Sequence, residues 1–453
     1  MQKNDFSVGS MPRIIVRLSI PMFWAQLVNV LYNIVDRIYL GQLPEIGTGV
    51  LAGVGLTFPI ITLISAFAVL AGEGGAPLVS IARGANEHER AERVLGNAFF
   101  LEFVFALVLT TIGFLIKQPV LAQLGAGAET MAYANEYLSI YLCGTPFVMI
   151  GLGLNPYINA QGFAKTGMIA VMIGAAMNII LDPLLIYAFG MGVKGAALAT
   201  VIAQASSAVW TFRFLTGKKC IVALKRRYIR PDLKIIRRIC SLGFSNFTMK
   251  VTESLVQVAC NNRLGYYGGD IYISVMTVIN SIRQVIMLAL SGLSQGMQPV
   301  VGFNYGAKLY GRVRSGIRFF TWVCIGYATV VWTVSMVLPE LLIRIFNNDA
   351  EVLKIGVPAV RIYFSMFFVM SLQMAGQHSF VALGKAKQAV FFSLLRKAII
   401  VVPLTLLLPA AIGVDGVFWA EPISDVVGSI ACFVTFYLTV WRKELVDTAP
   451  AQG

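Results

Sequence analysis

Residues 72–90, GEGGAPLVSIARGANEHER, and residues 294–312, SQGMQPVVGFNYGAKLYGR, are two versions of one segment. A shift of 222 residues lays Gly74 on Gly296, Pro77 on Pro299, Gly84 on Gly306, Ala85 on Ala307 and Arg90 on Arg312. The same shift puts Gly162, Ala164 and Lys165 on Gly384, Ala386 and Lys387, and with a one-residue slip GVKG at 192–195 meets GVDG at 413–416. Gly and Pro recur in membrane helices for general reasons, but four motifs in a shared register make chance a poor explanation. Self-similarity of this kind precedes any fold assignment, and here it divides the chain into two related halves.

Working outward from the repeat, the surrounding sequence is 57% hydrophobic and 13% charged, with a mean hydropathy of +0.75 over 453 residues. An average soluble domain carries roughly 25% charged residues, so a soluble enzyme is excluded. No polar linker separates independent cores. Punctuation by Gly, Pro and charge leaves twelve apolar stretches, each near the ~20 residues a bilayer-crossing helix needs. They run approximately 14–40, 50–82, 94–117, 133–158, 167–190, 195–216, 238–264, 271–302, 313–339, 356–380, 388–410 and 416–441. The apolar stretch after the polar N-terminus has no small-residue cleavage pattern, so the first span is expected to be retained.

The net charge of +14 is informative through its placement. With both termini and every second loop on the cytoplasmic side, that side collects 27 of the 36 Lys and Arg residues, including Arg396 and Lys397. The positive-inside rule therefore puts both ends in the cytoplasm and requires an even number of spans. The basic stretch 217–237 becomes a cytoplasmic linker beside anionic lipid headgroups rather than a nucleic-acid site. The expected fold is an all-α polytopic membrane protein of twelve helices in two six-helix lobes, 1–216 and 238–441, around a central cleft, with a tail at 442–453. Six is even, so the lobes are parallel repeats related by an axis along the membrane normal. The six cysteines are scattered without zinc, redox or disulfide spacing and are read as reduced.

Ionisable residues inside spans are costly and mark ion or substrate pathways. At ~1.5 Å per residue, Asp36 lies about 8 Å before Gly41, Asp182 about 12 Å before Gly190 and Thr200 about 8 Å after Gly195, all at similar depth. Asn178 is one turn from Asp182 and shares its face. Two carboxylates, an amide and a hydroxyl suit Na⁺, through hard oxygen ligands, or a proton, through desolvation and like-charge proximity. Acids satisfied by interhelical hydrogen bonds are the structural alternative.

These residues also resemble a known family, the multidrug and toxic compound extrusion (MATE) transporters. The resemblance covers nearly the whole chain and rests on LSIPMFWAQLVNVLYNIVDRIYLG in span one, NIILDPLLI in span five, GVKGAALAT entering span six and, most specifically, SQGMQPVVGFNYGAK ending span eight. The short-looped, basic character is most similar to the MepA-like bacterial subgroup. The resemblance implies that Asp36 couples transport to a cation, that Asn178, Asp182 and Thr200 complete the N-lobe site, and that Pro21 is a bending point of span one. A proline removes one backbone hydrogen bond, which fits a hinge; a near-terminal proline with no moving role is the plainer reading.

The second half departs from part of the family pattern. Span seven carries Glu253 out of clear register, and span ten carries Gln373 and Gln377 but no acid. By depth, Glu253 and Arg283 are expected to pair near mid-membrane with Lys250 beside them, as a structural salt-bridge cluster. Glu421 and Asp425 share a face of span twelve, Glu421 at the repeat position of Thr200, and form the second candidate for cation recognition. Glu73 is expected to bond a neighbouring helix, and His88 and His378 have no metal-ligand company.

With no nucleotide-binding loop in the sequence, ATP-driven pumping is set aside unless a separate subunit supplies it. The expected function is secondary antiport: export of organic cations or amphipathic compounds in exchange for H⁺ or Na⁺, across the plasma (inner) membrane, with no cofactor, no enzymatic activity, no nucleic acid, and one chain forming the whole pathway. A lipid-linked precursor flippase is the alternative, but it needs more cations lining a cavity than Lys250 and Arg283 provide. A receptor or channel conflicts with the long two-fold repeat.

Overall fold

A chain crossing hydrocarbon must satisfy its own backbone polar groups, and a helix does so within one segment. The computed structural model describes residues 4–41 and 52–446, among which no strand forms. Ten of its helices are long and apolar enough to cross a bilayer: Met11–Asp36, Ala52–Gly84, His88–Gln123, Thr130–Ala160, Ala164–Ala188, Gly192–Thr216, Asp270–Gly306, Tyr310–Val337, Ala386–Ile412 and Asp415–Trp441. Ala350–Phe364 and Phe367–Ala382 meet at a 44° bend and together make another, the tenth in chain order. At the bend Trp332 Nε1 donates to the Ser365 carbonyl at 2.7 Å, occupying an acceptor that the broken helix leaves open.

The seventh stretch, 238–264, lies in the continuous 36-residue helix Leu233–Gly268. At ~1.5 Å per residue it is about 54 Å long, more than enough to span, but Arg237, Arg238, Lys250, Glu253 and Arg263 make it less apolar than the rest. With it the protein is an all-α polytopic membrane protein of twelve spans.

Four spans leave the α-helical path for one π-helical segment: Met149–Gly153, Leu184–Ala188, Leu395–Val401 and Tyr437–Trp441. In span five the cause is legible. Pro183 has no N–H to give the preceding turn, and the helix resumes with a wider loop in which Phe189 N donates to Leu184 O at 2.9 Å, five residues back.

Contacts divide the chain into two compact units, Met1–Asn4 with Ile20–Gly243, and Asp5–Ser19 with Phe244–Gly453. These divisions differ from boundaries drawn at 216 and 238. The basic stretch 217–237 is part of the first unit, because Val222 and Leu224 are buried and Gln161 Oε1 accepts from Ile221 N and Val222 N at 2.8 and 2.7 Å. Span one and span seven each change unit within one helix, at Ser19–Ile20, beside Pro21, and at Gly243–Phe244. The tail read at 442–453 lies outside the described residues from 447 onward.

The repeated glycines explain where these helix starts dock. In the first unit a Cβ on Gly74 would lie 2.2 Å from Ile239 O and one on Gly243 1.8 Å from Leu70 O; in the second, a Cβ on Gly296 would lie 2.1 Å from Ser19 Oγ and 2.6 Å from Ser19 N. Gly74 therefore receives the start of span seven and Gly296, its repeat mate, the start of span one. Only hydrogen fits at these backbone approaches. Gly74→Ala and Gly296→Ala are each expected to cost about 1–3 kcal/mol through overpacking, read as a lower Tm of the purified protein; an unchanged Tm in both would show that the backbones separate freely.

Candidate functional site

In the first unit, Asn178 and Asp182 are buried one helical turn apart on span five, and Asn178 Nδ2 donates to Asp182 Oδ1 at 3.2 Å. Asp36, 9% exposed on span one, brings its carboxyl within side-chain hydrogen-bonding reach of Asp182. Thr200 on span six is half-buried; its Oγ1 donates to Ala196 O at 3.0 Å and meets the hydroxyl of Tyr137, a span-four residue that also lies beside Asp36. All four residues picked from the sequence thus face one polar pocket, Thr200 by way of Tyr137.

Tyr137 is joined by Tyr141, stacked on it at 6.4 Å between ring centroids, and by Tyr32 from span one; Ser65 hydrogen-bonds Tyr141. Sequence reasoning missed this aromatic wall. Its signal was present as the four-residue spacing of Tyr133, Tyr137 and Tyr141, which stacks side chains along one helix face.

Two carboxyls side by side in a buried site cannot both stay ionised without a positive charge between them. The Asn178 Oδ1 atom is buried without a hydrogen-bond partner among the described residues, so the pocket has an acceptor to spare. Carboxylate and amide oxygens are the donors Na⁺ prefers, and the same pair can share one proton. Among the described residues no three His, Cys, Asp or Glu side chains gather as a metal site of the transition-metal kind.

The second unit holds a different arrangement from the Lys250–Glu253–Arg283 cluster expected by depth. Arg283 Nη1 pairs with Glu421 Oε1 at 2.5 Å and donates to Tyr363 Oη at 2.8 Å, while Glu253, still within electrostatic reach of Arg283, is exposed like Lys250 and forms no salt bridge with it among the described residues. Lys397 Nζ also reaches Glu421 Oε1 at 2.5 Å, and Arg396 Nη2 bonds Asp425 Oδ1 at 2.7 Å and approaches Glu421 Oε2 at 3.9 Å. Arg396 and Lys397, counted above among the cytoplasmic charges, are each 4% exposed and lie inside span eleven, on the π-helical segment Leu395–Val401, rather than in a loop. Glu421 and Asp425, the second candidate for cation recognition, are already occupied by three side-chain cations. Depth along a helix says nothing of azimuth, and it is azimuth that chose Glu421 over Glu253.

The remaining candidates go elsewhere. Gln377 Nε2 donates to Ser245 Oγ, Ala389 O and Ser393 Oγ at 2.8, 2.8 and 3.0 Å, tying spans seven, ten and eleven together. Gln373 is buried and its Oε1 has no hydrogen-bond partner among the described residues. Pro21 is buried within the helix Met11–Gly41. His378 Nδ1 lies 3.0 Å from Gln298 Nε2, His88 begins the third span, and all six cysteines are free.

The MatE family model matches residues 21–184 and 247–407, a piece of each half. The multidrug export protein MepA of Staphylococcus aureus is 24% identical over 438 residues, spanning 95% of this chain and 96% of that one. Among solved structures, a MATE protein in the bent conformation superposes with a TM-score of 0.89 at 23% identity over 95% of both chains. The outward-facing conformation of a multidrug resistance MATE family transporter of the MOP superfamily gives 0.88 at 23% identity, over 97% of this chain and 98% of that one. With a twelve-span fold shared almost end to end and a family model matched in both repeats, the chain belongs to the MatE family.

Proposed function

We propose that the protein is a secondary antiporter that exports organic cations or amphipathic compounds in exchange for H⁺ or Na⁺. The observation that carries this is the buried Asp36–Asp182 pair, two acids from different spans brought together where one cation must accompany them. Support comes from relatives named as multidrug export proteins at near-complete coverage. Asp36, Asn178, Asp182 and Thr200 take the coupling cation as a transported substrate. A bound cation draws the two carboxyls together, and its loss lets them repel, so occupancy biases span one between two geometries, with Pro21 as the bending point. Ion and drug are then linked through unequal affinity for the two states, which is what exchange by alternating access requires.

Both termini face the cytoplasm of a plasma membrane in this reading, and one chain carrying both repeats suffices as a monomer. The extra buried cations of the second unit revive the flippase alternative only superficially. Arg283, Arg396 and Lys397 are held by Glu421 and Asp425, which leaves one net positive charge, little to grip a diphosphate. In proteoliposomes containing the purified protein, ethidium is expected to move against its gradient when either a proton or a sodium gradient is imposed, and only under the coupling one. Ethidium flux indifferent to both gradients would sink the antiport reading.

A further inference from the structure

Glu102, on the third span, is 0% exposed, and neither of its carboxyl oxygens has a hydrogen-bond partner among the described residues. The elements packed against this span carry several titratable and charged groups. These are Glu73 and Arg83 on span two, Glu136, Tyr137, Tyr141 and Tyr157 on span four, and Arg226, Arg227 and Tyr228 in the basic stretch; Cys240 on span seven stands beside Tyr157. Of these, Tyr157 comes near enough to interact with Glu102, and its hydroxyl proton is committed to Ala71 O at 2.7 Å. Arg83 donates to Ala160 O at 2.6 Å and Asn4 O at 3.3 Å.

The carboxyl lies directly on the π-helical turn Met149–Gly153: a Cβ on Gly153 would sit 1.8 Å from Glu102 Oε1, and one on Gly72 would sit 2.5 Å from Gly153 O. Span four therefore closes on this group, and span two on span four behind it, with no room for a side chain at either contact. A buried carboxylate that no protein donor or cation meets is strongly disfavoured, whereas a carboxylic acid needs one acceptor, and a π-turn shifts backbone carbonyls away from their usual partners. Gly153 is sixteen residues from Tyr137, about 24 Å along span four, so this place is separate from the Asp36–Asp182 pocket.

We propose that Glu102 is a second proton-binding site, which keeps its proton while span three lies against the Met149–Gly153 turn and releases it to water when that contact opens. The proposal rests on the transporter reading for its use, not for its existence. Protonation favours the closed contact and ionisation the open one, so the two are reciprocally linked.

The test has two arms on the full-length protein. In infrared difference spectra of purified wild type against Glu102→Gln, a carboxylic-acid carbonyl band is expected to vanish in the variant and to persist in Asp36→Asn. In proteoliposomes, Glu102→Gln is expected to bind ethidium with an unchanged Kd but to lose at least about fivefold in turnover, with a flattened pH profile that Glu102→Asp partly restores. Absence of the band at every pH overturns the site, and a wild-type pH profile in Glu102→Gln overturns its participation. If wild type itself moves no ethidium under either gradient, the transporter reading fails, while the band still decides whether Glu102 holds a proton.

Discussion

Asp36→Asn is expected to abolish the gradient-driven component of ethidium export, a fall of roughly 5- to 150-fold, the range of a coupling free energy between two sites. The substitution keeps size and hydrogen-bonding capacity but leaves Asp182 without its neighbouring acid, so the pocket no longer requires a cation. Asp182→Asn is expected to do the same from the other side. Because the two carboxyls act on one ion, the double variant should be no worse than either single one, as for groups that function as a unit. The measurement is initial export rate with and without the imposed gradient, at equal reconstituted protein. Gradient-driven export by Asp36→Asn at the wild-type rate would leave Asp36 a structural acid. Additive losses would mean that the two acids serve different ions.

Glu421→Gln is expected to cost about 3–5 kcal/mol, the penalty for leaving buried charges uncompensated when one partner of an ion pair is removed. Arg283 and Lys397 both lean on the same Oε1 atom, and Lys397 is 4% exposed with no other carboxylate within salt-bridge distance among the described residues. Thermal unfolding of the purified protein reads the loss. Adding Lys397→Met to Glu421→Gln removes one stranded cation and should recover a large part of it, since replacing a buried pair by apolar groups is often neutral. A Glu421→Gln protein as stable as wild type would mean that water reaches the cluster and screens it.

The two predictions differ in how visible their residues were beforehand. Asp36, Asn178 and Asp182 stand out in any linear scan, because an acid in an apolar stretch is conspicuous and a four-residue spacing fixes a shared helix face. Arg396 and Lys397 are equally conspicuous as residues, yet a rule built on loop charge places them near a span end. A π-helical segment beside them changes which way the chain faces, and nothing in LRKAIIV announces it. Glu102 is an acid in an apolar stretch as well, but its place in the sequence says nothing about whether a donor waits opposite.

From residue order alone came the number of spans, their common period, the two-fold repeat, the depth of each polar group along its helix and the pairing of Asn178 with Asp182. These follow from local rules, the rise of a helix and the thickness of hydrocarbon, which act along one dimension. Tertiary structure alone decided that span one and span seven change unit in mid-helix, at Ser19–Ile20 and Gly243–Phe244, that Tyr137 bridges Thr200 to Asp36, that Arg283 forms its salt bridge with Glu421, and that the Glu102 carboxyl oxygens meet no hydrogen-bond partner among the described residues. Each depends on helix rotation and on which neighbour lies across the contact, and both are set by close packing among spans hundreds of residues apart.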